Sequence, residues 1–280
     1  MIYLMLAILS SAAISFILRC FDKKINNNMV MFMGNYMICV ILSGIFTGRS
    51  GAFHVMEGTG FAAIIGAISG VFYLMGFVLL QLNIRKNGML LSGLFMRLGI
   101  IVPLFISLLF FREVPTIIQI IGIVLAIIVI VIINLEKKED TAIGHVAILL
   151  ILLLVVGGLT DSFANIHDKL GNRDCSDQYL LITFAMAFIC SIIMIFVKKQ
   201  SFTVTDFAIG MFVGIPNYFC SRFLLASLSK LQSIVVYPVY NIGTILLISL
   251  CGIIVFKEKL SKNKIIGLIL VMAALILLNI

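Results

Sequence analysis

Hydrophobic residues run along this chain in blocks of about twenty, separated by short polar gaps from one end to the other. A helix of about 20 apolar residues, rising 1.5 Å per residue, matches the hydrocarbon thickness of a bilayer. Cutting at the polar gaps predicts ten such spans: 2–18, 29–47, 60–82, 88–110 and 116–134, then 146–165, 179–197, 203–226, 233–256 and 264–280. Each must be helical, because in lipid only a helix lets one segment satisfy all its own backbone polar groups.

The gap LEKKEDTAIGH at 135–145 falls at the midpoint, and the pattern of span lengths repeats on either side of it. The phrase FFREVPTIIQIIGI, from Phe110, returns as VFKEKLSKNKIIGL from Val255. At this offset of 145, Phe111, Glu113, Gly122 and Asn134 match Phe256, Glu258, Gly267 and Asn279. Tyr73 likewise matches Tyr218, and Leu79-Leu80 match Leu224-Leu225. The third span carries Gly66-x-x-x-Gly70 and the eighth Gly210-x-x-x-Gly214. Small residues at that spacing let helix backbones approach closely. The chain therefore divides into residues 1–140 and 141–280, each a unit of five spans. Because five is odd, the second copy crosses the bilayer in the opposite sense to the first. The expected fold is an all-α integral membrane protein, ten transmembrane helices arranged as two inverted five-helix repeats.

Composition narrows the function. The chain is 62% hydrophobic and 11% charged, with a mean hydropathy of +1.23. Soluble domains carry about 25% charged residues, so a soluble catalytic or binding domain is excluded. The net charge of +8 sits singly or in pairs in the gaps, as leaflet anchors do, which argues against a nucleic-acid partner. Thirteen Lys and Arg fall in the odd gaps and five in the even ones, placing odd gaps in the cytoplasm and both termini outside. The six Cys show no CxxC and no metal-ligand spacing, so no disulfide framework or metal site is expected. The opening MIYLMLAILSSAAISF lacks the basic start of a signal peptide and has an ordinary span as its counterpart, so it reads as a retained first span. No convergent catalytic set and no phosphate loop is present, hence no enzyme and no cofactor is expected.

The polar residues at membrane depth are the candidate chemistry. Arg97, in LFMRLGII, sits near the middle of span four, where a charge costs about 2.5–3.5 kcal/mol on insertion scales. It reads as a fork for an anionic substrate group, as the ion-pair partner of Asp161, or as a side chain that snorkels along its helix. Asp161 shares one helical face with Gly157 and Asn165, and reads as a proton carrier or that structural partner. Arg222 lies nearer the end of span eight and reads as a snorkelling side chain. Tyr237, Tyr240, Asn241 and Thr244 form a polar stripe on span nine, beside the helix-bending Pro238. Asn217, Tyr218 and Ser221 follow Gly214 on span eight, and Tyr73, Asn35 and Ser15 are of the same kind. Such groups either line a substrate cavity or hold helices together through hydrogen bonds. Glu113 and Glu258 read as caps of the last helix in each half, where the dipole favours an anion. His54, His145 and His167 read as solvated loop histidines.

Two five-span copies, each closing with a short Glu-containing turn and a Gly-bearing last helix, resemble the drug/metabolite transporter superfamily and its EamA-like members. The matching residues are Arg112-Glu113…Gly122 and Lys257-Glu258…Gly267, and the resemblance covers essentially the whole chain. It implies a gradient-driven permease for a small metabolite, often an amino-acid exporter, in the plasma membrane. Members of this superfamily usually have both termini inside, a departure from the Lys/Arg count here. The interior Arg residues favour an anionic or zwitterionic cargo, with a proton or ion coupled to it. Span one offers only Ser10, Ser11 and Ser15 where a cation exporter would keep an acid, and no Trp is available for a quaternary-ammonium cage. The competing readings are a cationic-drug or lipid-linked cargo, a membrane scaffold or receptor, and an intramembrane lipid-modifying enzyme. Monomer and homodimer remain equally open.

Overall fold

The structure, a computed structural model, describes residues 1–49, 57–87, 89–99, 143–231 and 233–256, with scattered positions between 101 and 128 and between 266 and 277. Among the described residues are eight α-helices: α1 (Ile2–Phe21), α2 (Asn28–Arg49), α3 (Thr59–Asn87), α4 (Met89–Leu98), α5 (Ile143–Leu170), α6 (Ser176–Val197), α7 (Val204–Leu228) and α8 (Ser233–Ile254). A 3-10 turn, Arg173–Cys175, precedes α6. Helices α1, α2, α3, α5, α6 and α7 are each long and apolar enough to cross a membrane, and Val239–Ile254 within α8 is a shorter apolar helix. Glu113 and Glu258, with the repeated turns that carry them, lie outside the described residues.

Helix ends differ from the apolar runs for local reasons. Helix α3 continues to Asn87 through Arg85 and Lys86, cations that suit the negative end of the helix dipole. Asn83 Nδ2 donates to the Leu79 and Leu149 carbonyls at 2.8 and 3.0 Å, so this polar turn keeps its hydrogen bonds as it leaves the apolar stretch. Helix α5 runs on to Leu170 and closes at Gly171, whose N–H bonds the His167 carbonyl at 2.9 Å. At the start of α2, Asn27 Oδ1 accepts from the Met29 N–H at 3.0 Å, satisfying a first-turn donor. Asp206 of α7, wholly buried, accepts from the N–H groups of Asn26 and Asn27 at 3.1 and 2.8 Å. An anion there is favoured by the dipole of α2.

The chain forms two compact units, Met1–Val78 with Phe163–Leu231, and Leu79–Ser162 with Gln232–Ile280. Both draw on both sequence halves. In the first, α7 packs on α1 and α2, and α2 packs on α6. The approach of α7 to α2 is backbone to backbone. A Cβ at Gly210 would strike the Met31 carbonyl oxygen, and one at Gly214 the Asn35 carbonyl oxygen and Ile38 Cγ2. Helix α3 meets α6 the same way: a Cβ at Gly66 would lie 3.0 Å from the Tyr179 oxygen, and one at Gly70 would strike the Thr183 oxygen and come within 2.8 Å of Met186 Cβ. The glycines correspond at an offset of 144, and Met31, Asn35 and Ile38 correspond to Tyr179, Thr183 and Met186 at 148. Helix α7 therefore sits on α2 as α3 sits on α6.

Helices α2 and α6 run antiparallel. Asn27 Nδ2 donates to the Ser201 carbonyl, just past the end of α6, at 3.0 Å. At the other end Thr47 Oγ1 donates to the carbonyl of Asp177, in the first turn of α6, at 3.4 Å. The gap at 22–27 thus meets the gap at 198–203.

The second unit packs α4 on α8. A Cβ at Gly158 of α5 would strike the Gly99 carbonyl oxygen, and Leu80, Ile84 and Leu153 form its buried core with Leu79 and Met96 against them. The exposed stripes are apolar, such as Ile148, Ile151, Leu152 and Val155 on α5, and Ile189, Ile193 and Phe196 on α6. Buried positions include Asn35, Ser43, Thr47, Ser69 and Asn217. Polar side chains kept inside an otherwise apolar core, with apolar stripes outside, are the arrangement that lipid selects.

Gly210→Val should lower the thermal unfolding midpoint of the detergent-purified protein by the equivalent of about 1–3 kcal/mol or more, because the side chain has a carbonyl in its way. Gly44→Ala, where nothing lies within 4 Å, should stay within about 0.5 kcal/mol of wild type. Equal losses from both would remove backbone contact as the basis of the packing.

Candidate functional site

The first unit gathers polar side chains from three helices at membrane depth. Tyr73 of α3 donates its hydroxyl hydrogen bond to Asn217 Oδ1 of α7 at 3.2 Å, and shares a second bond of 2.7 Å with Ser221 Oγ. Asn217 Nδ2 donates to Asn35 Oδ1 of α2 at 3.3 Å. The Cys39 thiol donates to the Gly214 carbonyl at 3.2 Å, and the Tyr36 hydroxyl to the Tyr73 carbonyl at 3.2 Å. The two that join α7 to α2, Asn217 to Asn35 and Cys39 to Gly214, depend on how closely Gly214 lets these helices approach. Tyr73 and Asn217 stand 144 residues apart, the offset of the glycine pairs, so corresponding positions bond to each other. Asn35 Nδ2 is fully buried and has no partner among the described residues. An unmade buried hydrogen bond costs about 1–3 kcal/mol, so this donor is a place where a ligand acceptor gains.

A charged group adjoins this network. Arg222 Nη1 donates to Asp177 Oδ1 at 2.7 Å and to the Tyr218 hydroxyl at 2.8 Å. The guanidinium carbon lies 4.2 Å from the centroid of the Phe46 ring, which itself stacks on Tyr218 at 5.7 Å. The Arg222 and Asp177 side chains are 28% and 20% exposed, so the pair is neither sealed in nor fully wet. Asp177 also profits from the α6 dipole, being in its first turn. Rings connect the two groups: Tyr218 lies against Phe184 at 6.2 Å, and Phe184 against Tyr73 at 5.6 Å.

Four residues singled out in the sequence, Tyr73, Asn217, Tyr218 and Ser221, thus come together, and Asn35 joins them. Tyr240, Asn241 and Thr244 are buried on α8 in the second unit, where Thr244 Oγ1 has no partner among the described residues. Helix α8 continues through Pro238. Tyr237 lies on α8 and Arg97 on α4, with their side chains outside the described residues. Asp161 is half-buried on α5.

Two expectations are corrected. Arg222 does not snorkel; it turns to Asp177 and Phe46, a contact set by packing of α2, α6 and α7 that no local pattern encodes. His167 is no loop histidine, because α5 extends past the apolar run and carries it, wholly buried, onto Tyr179. Asp177 was missed because a lone acid in a polar gap looks like any other anchor. Its only sequence signal is its place in the first turn of a span.

Residues 177–271 match the family model described as Small Multidrug Resistance protein, a family of small transporters within the drug/metabolite transporter clan. The match begins at Asp177 and takes in predicted spans seven, eight and nine and the first half of span ten. An uncharacterized protein of Haemophilus influenzae is 26% identical over 284 residues, covering 97% of this chain and 95% of its own. A protein of known crystal structure superimposes on 98% of this chain and 96% of its own with a TM-score of 0.63, at 11% identity, a likeness of fold alone.

A double-mutant cycle on Asp177→Asn and Arg222→Gln should show coupling of about 0.5–3 kcal/mol in thermal stability. The single Asp177→Asn change leaves a half-buried guanidinium without its counter-ion, and the second change relieves it. Additive losses would mean that the two side chains do not meet in the folded protein.

Proposed function

We propose that this chain is a secondary transporter of a small anionic or zwitterionic metabolite of the amino-acid kind. It works by alternating access of two inverted five-helix repeats, residues 1–140 and 141–280, as an EamA-like exporter in the plasma membrane. The coarse reading, a multi-pass membrane transporter, is supported by the six long apolar helices and the match over 177–271. The inverted relation is supported by the reciprocal seating of α7 on α2 and α3 on α6, with α2 and α6 antiparallel. The meeting of gaps 22–27 and 198–203 agrees with placing all odd gaps on one side, the cytoplasmic one by charge.

One observation carries the cargo assignment: the unsaturated polar network of Tyr73, Asn217, Ser221 and Asn35, joined by aromatic rings to Arg222 and Asp177. Among the described residues Arg222 uses a single nitrogen for both its bonds, leaving the rest of its fork for a carboxylate. Asp177 would meet an ammonium group of the same solute. A zwitterion can then exchange partners with the pair, so that neither buried charge is left alone. Asn35 Nδ2, eleven residues and about 16 Å along α2 from Phe46, offers a separate donor to a cargo oxygen. Arg97 and the stripe of Tyr237, Tyr240, Asn241 and Thr244 are proposed as further cargo contacts. Energy comes from a proton or ion gradient, and Asp161 is a candidate proton carrier.

The match to the multidrug-resistance model favours a second reading, export of cationic drugs. Against it, a cation without a carboxylate that took Asp177 would leave the Arg222 guanidinium without its counter-ion, and Asp206 already accepts from the start of α2. Thermal-shift screening with amino acids, organic acids, nucleosides and quaternary amines separates the two. A cognate zwitterion at about 100 times its Kd should stabilise the protein by about 2.7 kcal/mol. Stabilisation by quaternary amines alone would favour the second reading. In proteoliposomes Arg222→Gln and Tyr73→Phe should cut flux of the stabilising solute by about tenfold, one lost contact of 1.4 kcal/mol. Arg97→Gln, measured beside them, separates the two arginines. Flux indifferent to Arg222→Gln would end the anion assignment.

A further inference from the structure

His167 sits on α5 three residues before that helix ends, and none of it is exposed. Its ring stacks on Tyr179 of α6, with centroids 4.4 Å apart and planes at 22°. The Tyr179 hydroxyl is taken by Ser69 Oγ of α3 at 3.0 Å. Neither Nδ1 nor Nε2 of His167 has a hydrogen-bond partner among the described residues. Thr183 Oγ1, one turn along α6 from Tyr179, is buried and without a partner as well.

A neutral imidazole carries one donor and one acceptor, and leaving either unmade in a buried place costs about 1–3 kcal/mol. An apolar side chain of similar shape would fill the position without that cost. Stability alone therefore does not account for a histidine here. Among the described residues the charged and titratable groups around it are few. Tyr179 faces the ring from α6, and α3 contributes Ser69. On its own helix Asp168 follows, held by Arg173 Nε at 3.2 Å, and Lys169 points to the exterior. None offers an acceptor to the ring. A protonated ring would present two N–H donors that no described residue accepts. Proton binding therefore requires the end of α5 to part from Tyr179 and admit water.

We infer that His167 is a proton-binding site whose occupation favours an arrangement in which α5 and α6 separate at this end, coupling cargo movement to a proton gradient. A ligand that binds one arrangement and not the other shifts the equilibrium between them, whatever its size. The coupling rests on the transport reading; the proton site does not.

The site is tested on full-length protein labelled with nitrogen-15 histidine, carrying His54→Gln and His145→Gln so that His167 alone reports. Long-range proton–nitrogen spectra in nanodiscs, followed from about pH 8 to 5, read both ring nitrogens. The expected result is one neutral tautomer at the alkaline end, converting to imidazolium as the Tyr179 ring-current shift disappears. A ring that stays neutral throughout, or that charges while still stacked, overturns the inference. His167→Phe should keep the thermal midpoint, which excludes misfolding as the cause of any loss. In proteoliposomes an imposed pH gradient should change wild-type flux by about fivefold or more, the lower end of ordinary coupling, and His167→Gln should make flux indifferent to it. A gradient response kept by His167→Gln overturns the coupling. If wild type moves no solute, the transport reading fails, and the spectra alone judge the proton site.

Discussion

Contact between bare helix backbones is what the first unit depends on. Between helices in lipid no hydrophobic drive operates, because acyl chains are as apolar as leucine, and cohesion comes from closeness. Gly210 and Gly214 bring α7 onto the carbonyls of Met31 and Asn35, and Gly66 and Gly70 bring α3 onto those of Tyr179 and Thr183. That closeness is why Asn217 reaches Asn35 and why the Cys39 thiol reaches the Gly214 carbonyl. The polar network is a consequence of the glycine contacts, and a larger residue at either would disperse it.

The charges at depth divide into two kinds by how fully they are answered. Asp206 is wholly buried and accepts two backbone N–H groups at a helix start, so nothing in it is left for a ligand. Arg222 and Asp177 are partly exposed, meet through one nitrogen, and lie against an aromatic ring. A buried ion pair is weak evidence of stability, since its desolvation offsets most of its attraction. Among the described residues Arg222 spends one nitrogen on both its hydrogen bonds, which on the transport reading leaves it room for a solute. His167 belongs to the same class: a buried polar group without a hydrogen-bond partner among the described residues.

What the sequence made legible follows from what lipid enforces. Spans one, two, three, six, seven and eight are present as helices because twenty apolar residues in lipid have no other solution. The two GxxxG pairs were visible as spacing, and their reciprocal docking is the geometry that spacing permits. Tyr73, Asn217, Tyr218 and Ser221 stood out as polar groups in apolar runs, and they do converge. Asp177 and Phe46 did not stand out, since one sits in a polar gap and the other among many apolar residues. Their meeting with Arg222 is fixed by the antiparallel run of α2 against α6, which no local periodicity records. The true end of α5 was equally hidden: the helix outruns its apolar stretch, and His167 goes inside with it.

The central claim is that corresponding helices of the two halves cross the membrane in opposite directions. Single cysteines placed in a cysteine-free background at Asn26, Gln200, Glu57 and Arg173, and labelled from each side of sealed vesicles, test it most directly. The account predicts that positions 26 and 200 react from one side, and 57 and 173 from the other. Labelling of 26 and 173 from the same side would set the two copies in one sense and contradict it.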